Sequence, residues 1–310
     1  MATVKEIYAH NLNLTVNKEQ KSRNYNFAHK ETTVYKSGKK TLVFVGGDHI
    51  VRDAPFIKFL RKAFDKTQPD FLLLERPKYG IEHSAELLNK PKDRWSEVQW
   101  AIKFAKSKGV PFAGMDADES TLFKPFIEME DRDGIKAGIL TWVLNYYNNP
   151  WRHKIRELSK EDLYDLAVND IVEDFALTSG RFARFRKEFF NLHKRYKNAS
   201  LHSFVKKVVQ EATDKYVERK PFLSIAQRPR GWWAPYPFGK EYSFNKVRAW
   251  WDAYRNKSMI DESIEAMRKH DTVFALAGWG HIFVIRDLLE KEIRKEFSLV
   301  KVMRWNEFVK

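Results

Sequence analysis

The chain has 310 residues, and its 56 Lys and Arg against 41 Asp and Glu give a formal net charge of +15. Hydrophobic residues make up 43% and aromatic residues 15%, which excludes a disordered chain and predicts one large or two modest folded domains. The absence of cysteine excludes disulfides, thiolate nucleophiles and Cys-ligated metals, so any bound metal must use histidine and carboxylate ligands.

The first residues lack the apolar core of a secretory signal, and no window approaches the roughly 18 apolar residues that a membrane helix needs. We therefore expect a cytoplasmic protein without a membrane span. The positive net charge is compatible with nucleic acid or another polyanion as a partner, but it says nothing about the fold.

Short apolar runs alternate with helical stripes along much of the chain. Strands are expected at 41–45, 70–74, 110–115, 272–277 and 299–302, and helices at 54–66, 245–269 and 283–295, with two more between the second and third strands. This alternation predicts the α/β class, with a mostly parallel central sheet built from two related strand-loop-helix halves and interrupted by a helical insertion.

The expected domain organisation follows changes in composition. The segments are a polar lead-in or edge hairpin at 1–40, a first α/β half at 41–119, a helical insertion with an aromatic loop at 120–240, and a second α/β half at 241–310. Trp232 and Trp233 lie in the proline-rich loop. They are expected to pack the insertion against the sheet, to line a substrate pocket, or to stack on nucleic-acid bases beside basic residues.

Two segments about 230 residues apart repeat the same pattern, an apolar strand followed by Gly-x-x-His. The first reads Gly46-Gly47-Asp48-His49, and the second reads Gly278-Trp279-Gly280-His281. In an open α/β sheet, residues just beyond the carboxyl ends of the strands face the crevice where ligands bind. Glu75 and Asp116 also follow strands, so both acids and both histidines are candidates for one site.

Each candidate also has a simpler interpretation. A single Gly-x-x-His is often a loop histidine bonded to backbone, Glu75 has Arg76 and Lys78 available for a surface ion pair, and Asp116 is suited to capping a helix. Arg255 is equally suited to a solvated helix face. The repetition of the motif favours the functional interpretation for the histidines.

These motifs, together with Arg255-Asn256 ahead of the last strand, resemble the TraB/GumN proteins, which include the Tiki proteases, in a wider group with erythromycin esterase-like and ChaN-like proteins. The resemblance covers about residues 41–118 and 245–303. It implies a hydrolase with its active site between two related halves. The catalytic residues it implies are His49, Glu75, Arg255 and His281, and we assign Gly46, Gly47, Asp48, Asp116, Asn256, Gly278 and Trp279 to substrate binding.

Two chemistries fit this set. In the Tiki-like form, His49, Glu75 and His281 bind a divalent metal such as Mn²⁺, Co²⁺ or Zn²⁺, which activates water to cleave a peptide or another amide. In the esterase-like form there is no metal: His49 is the general base, Glu75 orients it, and Arg255 or His281 stabilises the oxyanion.

A different class of function stays open on the same scaffold: a non-catalytic, basic binding or regulatory protein for nucleic acid or another polyanion. The sequence has no Walker-type phosphate loop, Rossmann glycine fingerprint, His-Glu-x-x-His or Gly-x-Ser-x-Gly motif. We therefore expect no nucleotide cofactor, and we expect neither a zincin nor a serine esterase. The substrate, a peptide or a small molecule, is not defined by these motifs.

Overall fold

The computed structural model describes residues 1–13, 32–47, 54–77, 80–89, 95–117 and 243–310. The chain forms two compact units: one comprises Met1–Asn11, Asn17–Asp118 and Ala253–Lys310, and the other comprises Leu12–Val16 and Glu119–Asp252. All of the described strands belong to the first unit. The predicted insertion and aromatic loop at 120–240 lie outside the described residues.

Helices and strands alternate along the described chain. In order they are α1 (Val4–Asn13), β1 (Thr33–Ser37), β2 (Lys40–Gly47), α2 (Ala54–Thr67), β3 (Phe71–Leu74), α3 (Gly80–Glu86), α4 (Glu97–Ser107), β4 (Phe112–Gly114), α5 (Ser243–Lys269), β5 (Thr272–Gly278), α6 (Trp279–Glu296), β6 (Lys301–Arg304) and α7 (Trp305–Phe308). The predicted strands at 41–45, 70–74, 110–115 and 272–277 are confirmed, as are the helices at 54–66 and 245–269.

The six strands form one mixed sheet in the order β4-β3-β5-β2-β1-β6. The first four are parallel to one another, whereas β1 is antiparallel to both β2 and β6. The fold is therefore α/β in class, with a mixed sheet. Residues 1–40, predicted as a lead-in or an edge hairpin, contain α1 and β1; β1 forms a hairpin with β2, but β6 pairs with its other side, so β1 is not at the edge of the sheet.

One face of the sheet is covered by α2 and α4. On α2 the buried residues recur with helical spacing at Phe56, Leu60, Ala63 and Phe64, and the Phe64 ring lies 5.4 Å from that of Phe274 on β5. On α4 the buried residues are Val98, Ala101, Ile102 and Ala105. Each large apolar side chain buried in this way contributes about 1.5–3 kcal/mol, so this layer is a main source of stability.

Helix α6 packs against β2 and β5. It buries Ile282, Ile285, Leu289 and Ile293, again with helical spacing. Helix α1 is joined to α6 by a contact of 3.1 Å between His10 Nε2 and the carbonyl of Val284. No helix in the described ranges combines the length and the apolar character that crossing a membrane requires.

The strand order places a switch point between β3 and β5. The chain leaving β3 continues to β4 on one side, whereas the chain leaving β5 continues through α6 to β6 on the other side. In open α/β sheets, the crevice beyond the carboxyl ends of two such strands is the usual place for a ligand. This position holds the polar side chains described next.

Candidate active site

Glu75 is the first residue after β3, and it is buried, with 4% of its surface exposed. Its backbone N–H donates to the carbonyl of Leu276 on β5 at 2.9 Å, which continues the β3–β5 pairing and directs the residue toward the switch point. Burying an ionised carboxylate is costly unless hydrogen bonds and opposite charge compensate it. Glu75 has both.

Arg255 on α5 joins Glu75 to Asp116. Its Nη2 lies 2.5 Å from Glu75 Oε1 and 2.6 Å from Asp116 Oδ2, and its Nε donates to Asp116 Oδ1 at 3.0 Å. Asp116, two residues beyond β4, is itself buried. One guanidinium therefore bridges two buried carboxylates, and it uses the paired N–H geometry for which arginine is suited.

His281 contacts both Glu75 and the residue that follows Arg255. Its Nδ1 lies 2.7 Å from Oδ1 of Asn256, and its Nε2 lies 3.3 Å from Oε1 of Glu75. Asn256 is fully buried, and its Nδ2 has no hydrogen-bond partner in the part of the chain that the structure describes. The imidazole is thus held at both ring nitrogens.

The start of α6 brings His281 to this position. Strand β5 ends at Gly278 and α6 begins at Trp279 without a loop, so His281 lies in the first helical turn rather than in the glycine loop that the sequence predicted. The N–H of Gly278 donates to Oε2 of Glu75. The carboxylate therefore also benefits from the positive end of the α6 dipole.

Gly114 allows β4 to end close enough to β3 for Asp116 to reach the cluster. A Cβ atom at this position would lie 2.3 Å from the carbonyl oxygen of Arg76 and 2.8 Å from that of Pro77. The backbone N–H of Asp116 donates to the same Arg76 carbonyl at 3.1 Å. Sequence reasoning missed Gly114, although a glycine two residues before a strand-end acid was the available signal.

The structure brings together five of the predicted residues: Glu75, Asp116, Arg255, Asn256 and His281. Gly46 and Gly47 end β2, where Gly47 is in register with Gly278 of β5. Asp48 and His49 lie outside the described residues, as does the side chain of Trp279.

Two of the simpler interpretations are wrong. Glu75 does not form its ion pair at the surface, and Arg76 donates to the backbone carbonyl of Glu75 instead. Arg255 is not merely on a solvated face, because it binds two buried acids. Asn256, which the sequence assigned to substrate binding, contacts His281 through its amide oxygen.

The described members of the predicted metal set do not fit a divalent cation. Both carboxylate oxygens of Glu75 accept hydrogen bonds, the Arg255 cation lies 2.5 Å from one of them, and both nitrogens of His281 face side-chain oxygens. A dication would be repelled by Arg255 and would have to displace these contacts. Within the described residues, no three His, Asp or Glu side chains are grouped so that they could hold a metal.

Comparison with known proteins adds no relative: no protein-family model matches the chain, and neither a curated protein nor a solved structure is significantly similar to it. Fold and site therefore define the class. It is an α/β protein with a mixed six-stranded sheet and a buried carboxylate–arginine–histidine cluster at the switch point between β3 and β5.

Proposed function

We propose that this protein is a hydrolase of esters or amides, built from two related halves as in the TraB/GumN and erythromycin esterase-like proteins, and that it acts in the metal-free form. The observation that supports this most directly is the contact of Glu75 with both Arg255 and His281, residues 180 and 206 positions later in the chain. A buried ionic cluster at a switch point is the arrangement expected of a catalytic site.

The side chains of the cluster differ in solvent exposure, and this difference supports different roles for the acids and for the basic groups. The two carboxylate side chains are 5% and 8% exposed, whereas those of His281 and Arg255 are 11% and 22% exposed. The groups with access to a substrate are therefore hydrogen-bond donors, and the acids behind them hold these donors in place. Donors fixed in this way stabilise the negative oxygen that develops when water adds to a carbonyl carbon.

The general base is assigned from the sequence to His49, two residues beyond the end of β2. In the proposed reaction it takes a proton from water while the water oxygen bonds to the carbonyl carbon. The bond from that carbon to the alkoxy or amine group then breaks, and the leaving group takes up the proton. Arg255 acts on the carbonyl oxygen throughout, and His281 donates to it through Nε2 in place of its 3.3 Å contact with Glu75.

The experiment is hydrolysis of a panel of chromogenic esters and peptide amides by the purified chain, with and without a chelator. His281→Ala should reduce the rate by about 100-fold or more, the effect expected for a group acting in the transition state. His270→Ala is the matched control, because His270 stacks on Phe71 at the opposite end of β5. It should leave the rate unchanged.

Metal content tests the metal-free form separately. The wild-type chain and a His49→Ala/His281→Ala double variant should both contain only trace metal. Stoichiometric metal in the wild type that is lost in the double variant would replace this form with the metal-dependent one. A chain that hydrolyses nothing in the panel, or a His281→Ala variant with the full rate, would overturn the assignment of a hydrolase to this cluster.

A further inference from the structure

The positive charge of the chain is unevenly distributed over its helices. Helix α6 has equal numbers of both signs: Arg286, Lys291, Arg294 and Lys295 against Asp287, Glu290, Glu292 and Glu296. Several of them pair, including Arg294 with Glu290 at 2.8 Å and Lys295 with Glu292 at 2.6 Å. The net charge of +15 therefore has to come from other surfaces.

Helix α2 has a stripe of cations on its outer side. Lys58, Arg61, Lys62 and Lys66 are all exposed, and they lie opposite the buried apolar stripe of the same helix. Asp65 is the one acidic residue in the helix. At a rise of about 1.5 Å per residue, the stripe from Lys58 to Lys66 is about 12 Å long.

Helix α4 extends this surface. It packs beside α2, and Lys106 and Lys108 at its end are exposed. Lys108 Nζ lies 2.6 Å from Oδ1 of Asp65, which shows that the two helix ends meet. We call Lys58, Arg61, Lys62, Lys66, Lys106 and Lys108 the basic face. Among the exposed side chains described on α2, on α4 and at Lys108, its six cations oppose the single carboxylate of Asp65.

Helix stability does not explain this arrangement. Lysines in the last turn of a helix are favourable against its dipole, and this accounts for Lys66 and Lys106. It does not account for Lys58, which is only four residues from the start of α2, where the first turn has no acid. Nor does Lys58 have an acidic residue three or four positions away that would stabilise it as a helical pair, whereas Arg61 and Lys62 both have Asp65 at such a spacing.

The residues around the basic face argue against two kinds of polyanion, a lipid surface and single-stranded nucleic acid with exposed bases. None of the large hydrophobic residues found exposed in the described residues belongs to α2 or α4, so the face lacks the apolar anchors with which basic helices enter a lipid surface. The aromatic rings of α2 are paired with other rings, as Phe59 is with Trp305 at 5.7 Å, and are not offered for stacking on bases. What remains is attraction to a row of phosphates.

We propose that the basic face binds the sugar-phosphate backbone of double-helical nucleic acid, through phosphate contacts and without reading the sequence. A duplex presents phosphates in regular rows, and cations on a rigid helix meet them without the loss of freedom that a mobile tail would suffer. This binding is separate from the hydrolase cluster and does not depend on it.

The test is fluorescence anisotropy of the full chain with a short labelled DNA duplex, repeated over a range of salt concentrations. Lys58→Gln/Arg61→Gln/Lys62→Gln removes three charges from the basic face with residues that favour helix equally well. Lys5→Gln/Arg286→Gln/Lys291→Gln removes three charges from α1 and α6 and is the matched control for net charge. Circular dichroism and thermal unfolding establish that both variants are folded.

The basic-face variant should bind at least about tenfold more weakly at moderate salt, and the slope of log K against log salt should fall by about 2.7, from ~0.9 for each lost phosphate contact. The control should change both quantities much less. Equal effects in the two variants, no duplex binding by the wild type, or equally strong basic-face-dependent binding to anionic vesicles would each overturn the proposal.

Discussion

The Nδ1 atom of His281 lies 2.7 Å from the Oδ1 atom of Asn256, across the interface between α6 and α5. This contact fixes the plane of the imidazole ring and turns Nε2 toward Glu75 Oε1, 3.3 Å away. Asn256 is thereby the residue that sets the orientation of the imidazole.

We predict that Asn256→Leu lowers the rate of hydrolysis by about 100-fold, because the ring loses the contact that orients it and small misplacements are costly in catalysis. The change should affect kcat more than KM. The NMR signals of the His281 ring should shift as well, which reports the loss of orientation even where no substrate is known.

Ser263→Ala is the control for Asn256→Leu. Ser263 lies two turns further along α5, is fully buried, and has a hydroxyl without a hydrogen-bond partner in the described part of the chain. Its removal should leave the rate and the His281 signals unchanged. An equal loss in both variants would show that the effect comes from general disturbance of α5.

The bridge made by Arg255 predicts a strong effect on stability. Arg255→Met leaves Glu75 and Asp116 buried without their shared cation, which should lower the free energy of unfolding by about 3–5 kcal/mol. The triple variant Glu75→Gln/Asp116→Asn/Arg255→Met removes all three charges and should recover most of that loss. Urea unfolding measures both.

Comparing the single and triple variants distinguishes the contribution of charge balance to stability from the contribution of side-chain packing. Arg286→Met is the control for replacing an arginine, since Arg286 pairs, among the residues that the structure describes, only with the exposed Asp287 at 3.2 Å. It should cost less than about 1 kcal/mol. A triple variant no more stable than Arg255→Met would mean that the packing of the cluster, not its charge balance, stabilises the fold.

The strands were predictable from sequence because each of the buried ones is a short continuous apolar run, as in β2 and β5. Their order was not, because β5 lies between β2 and β3 although 224 residues separate it from β2 and 197 from β3. Pairing over such a distance depends on how the intervening chain folds. Local sequence patterns therefore do not define the order of the strands in the sheet.

The site was predictable in its members but not in its contacts. Glu75 and Asp116 lie just beyond the carboxyl ends of β3 and β4. Because parallel strands end at the same edge of a sheet, the proximity of these two residues follows from their positions in the sequence. That Asn256 contacts His281 rather than Arg255 depends on the register of α5 against α6, which spacing along the sequence does not define. The start of α6 was placed too late because glycines usually indicate a loop, whereas Gly278 here begins a helix directly.

Gly114→Ala tests the close approach of β4 to β3. The added methyl group would meet the carbonyl oxygen of Arg76 at 2.3 Å, and backbone cannot move aside as a flexible side chain can. We expect a loss of at least about 1–3 kcal/mol in the free energy of unfolding, with loss of the Arg255–Asp116 contact. Gly80→Ala is the control, since a Cβ atom at Gly80 would lie 3.5 Å from Pro77 Cδ, an ordinary contact distance. Wild-type stability in Gly114→Ala would contradict the role of Gly114.

Glu292 on α6, away from the candidate site, makes the stability of the protein depend on pH. Burial acts to raise the pKa of this carboxyl, but the hydrogen bond from Lys295 Nζ at 2.6 Å, the charge of that lysine and the amino group of Met1 at 3.4 Å together act more strongly, so the pKa lies below its ordinary value of 4.5. A carboxyl with a lowered pKa in the folded state stabilises the protein above the unfolded pKa, and this contribution disappears as the pH falls through the folded value.

We therefore expect Glu292→Gln to unfold at lower urea concentration than the wild type at neutral pH, and we expect the difference to shrink as the pH falls below about 4.5. Lys295→Met should weaken the same pH dependence without abolishing it, because it removes one of the two groups that lower the pKa of Glu292, the other being the amino group of Met1. Urea unfolding of the three proteins between neutral and acid pH measures the effect. A difference that stays constant with pH would show that Glu292 acts through packing instead of through its charge.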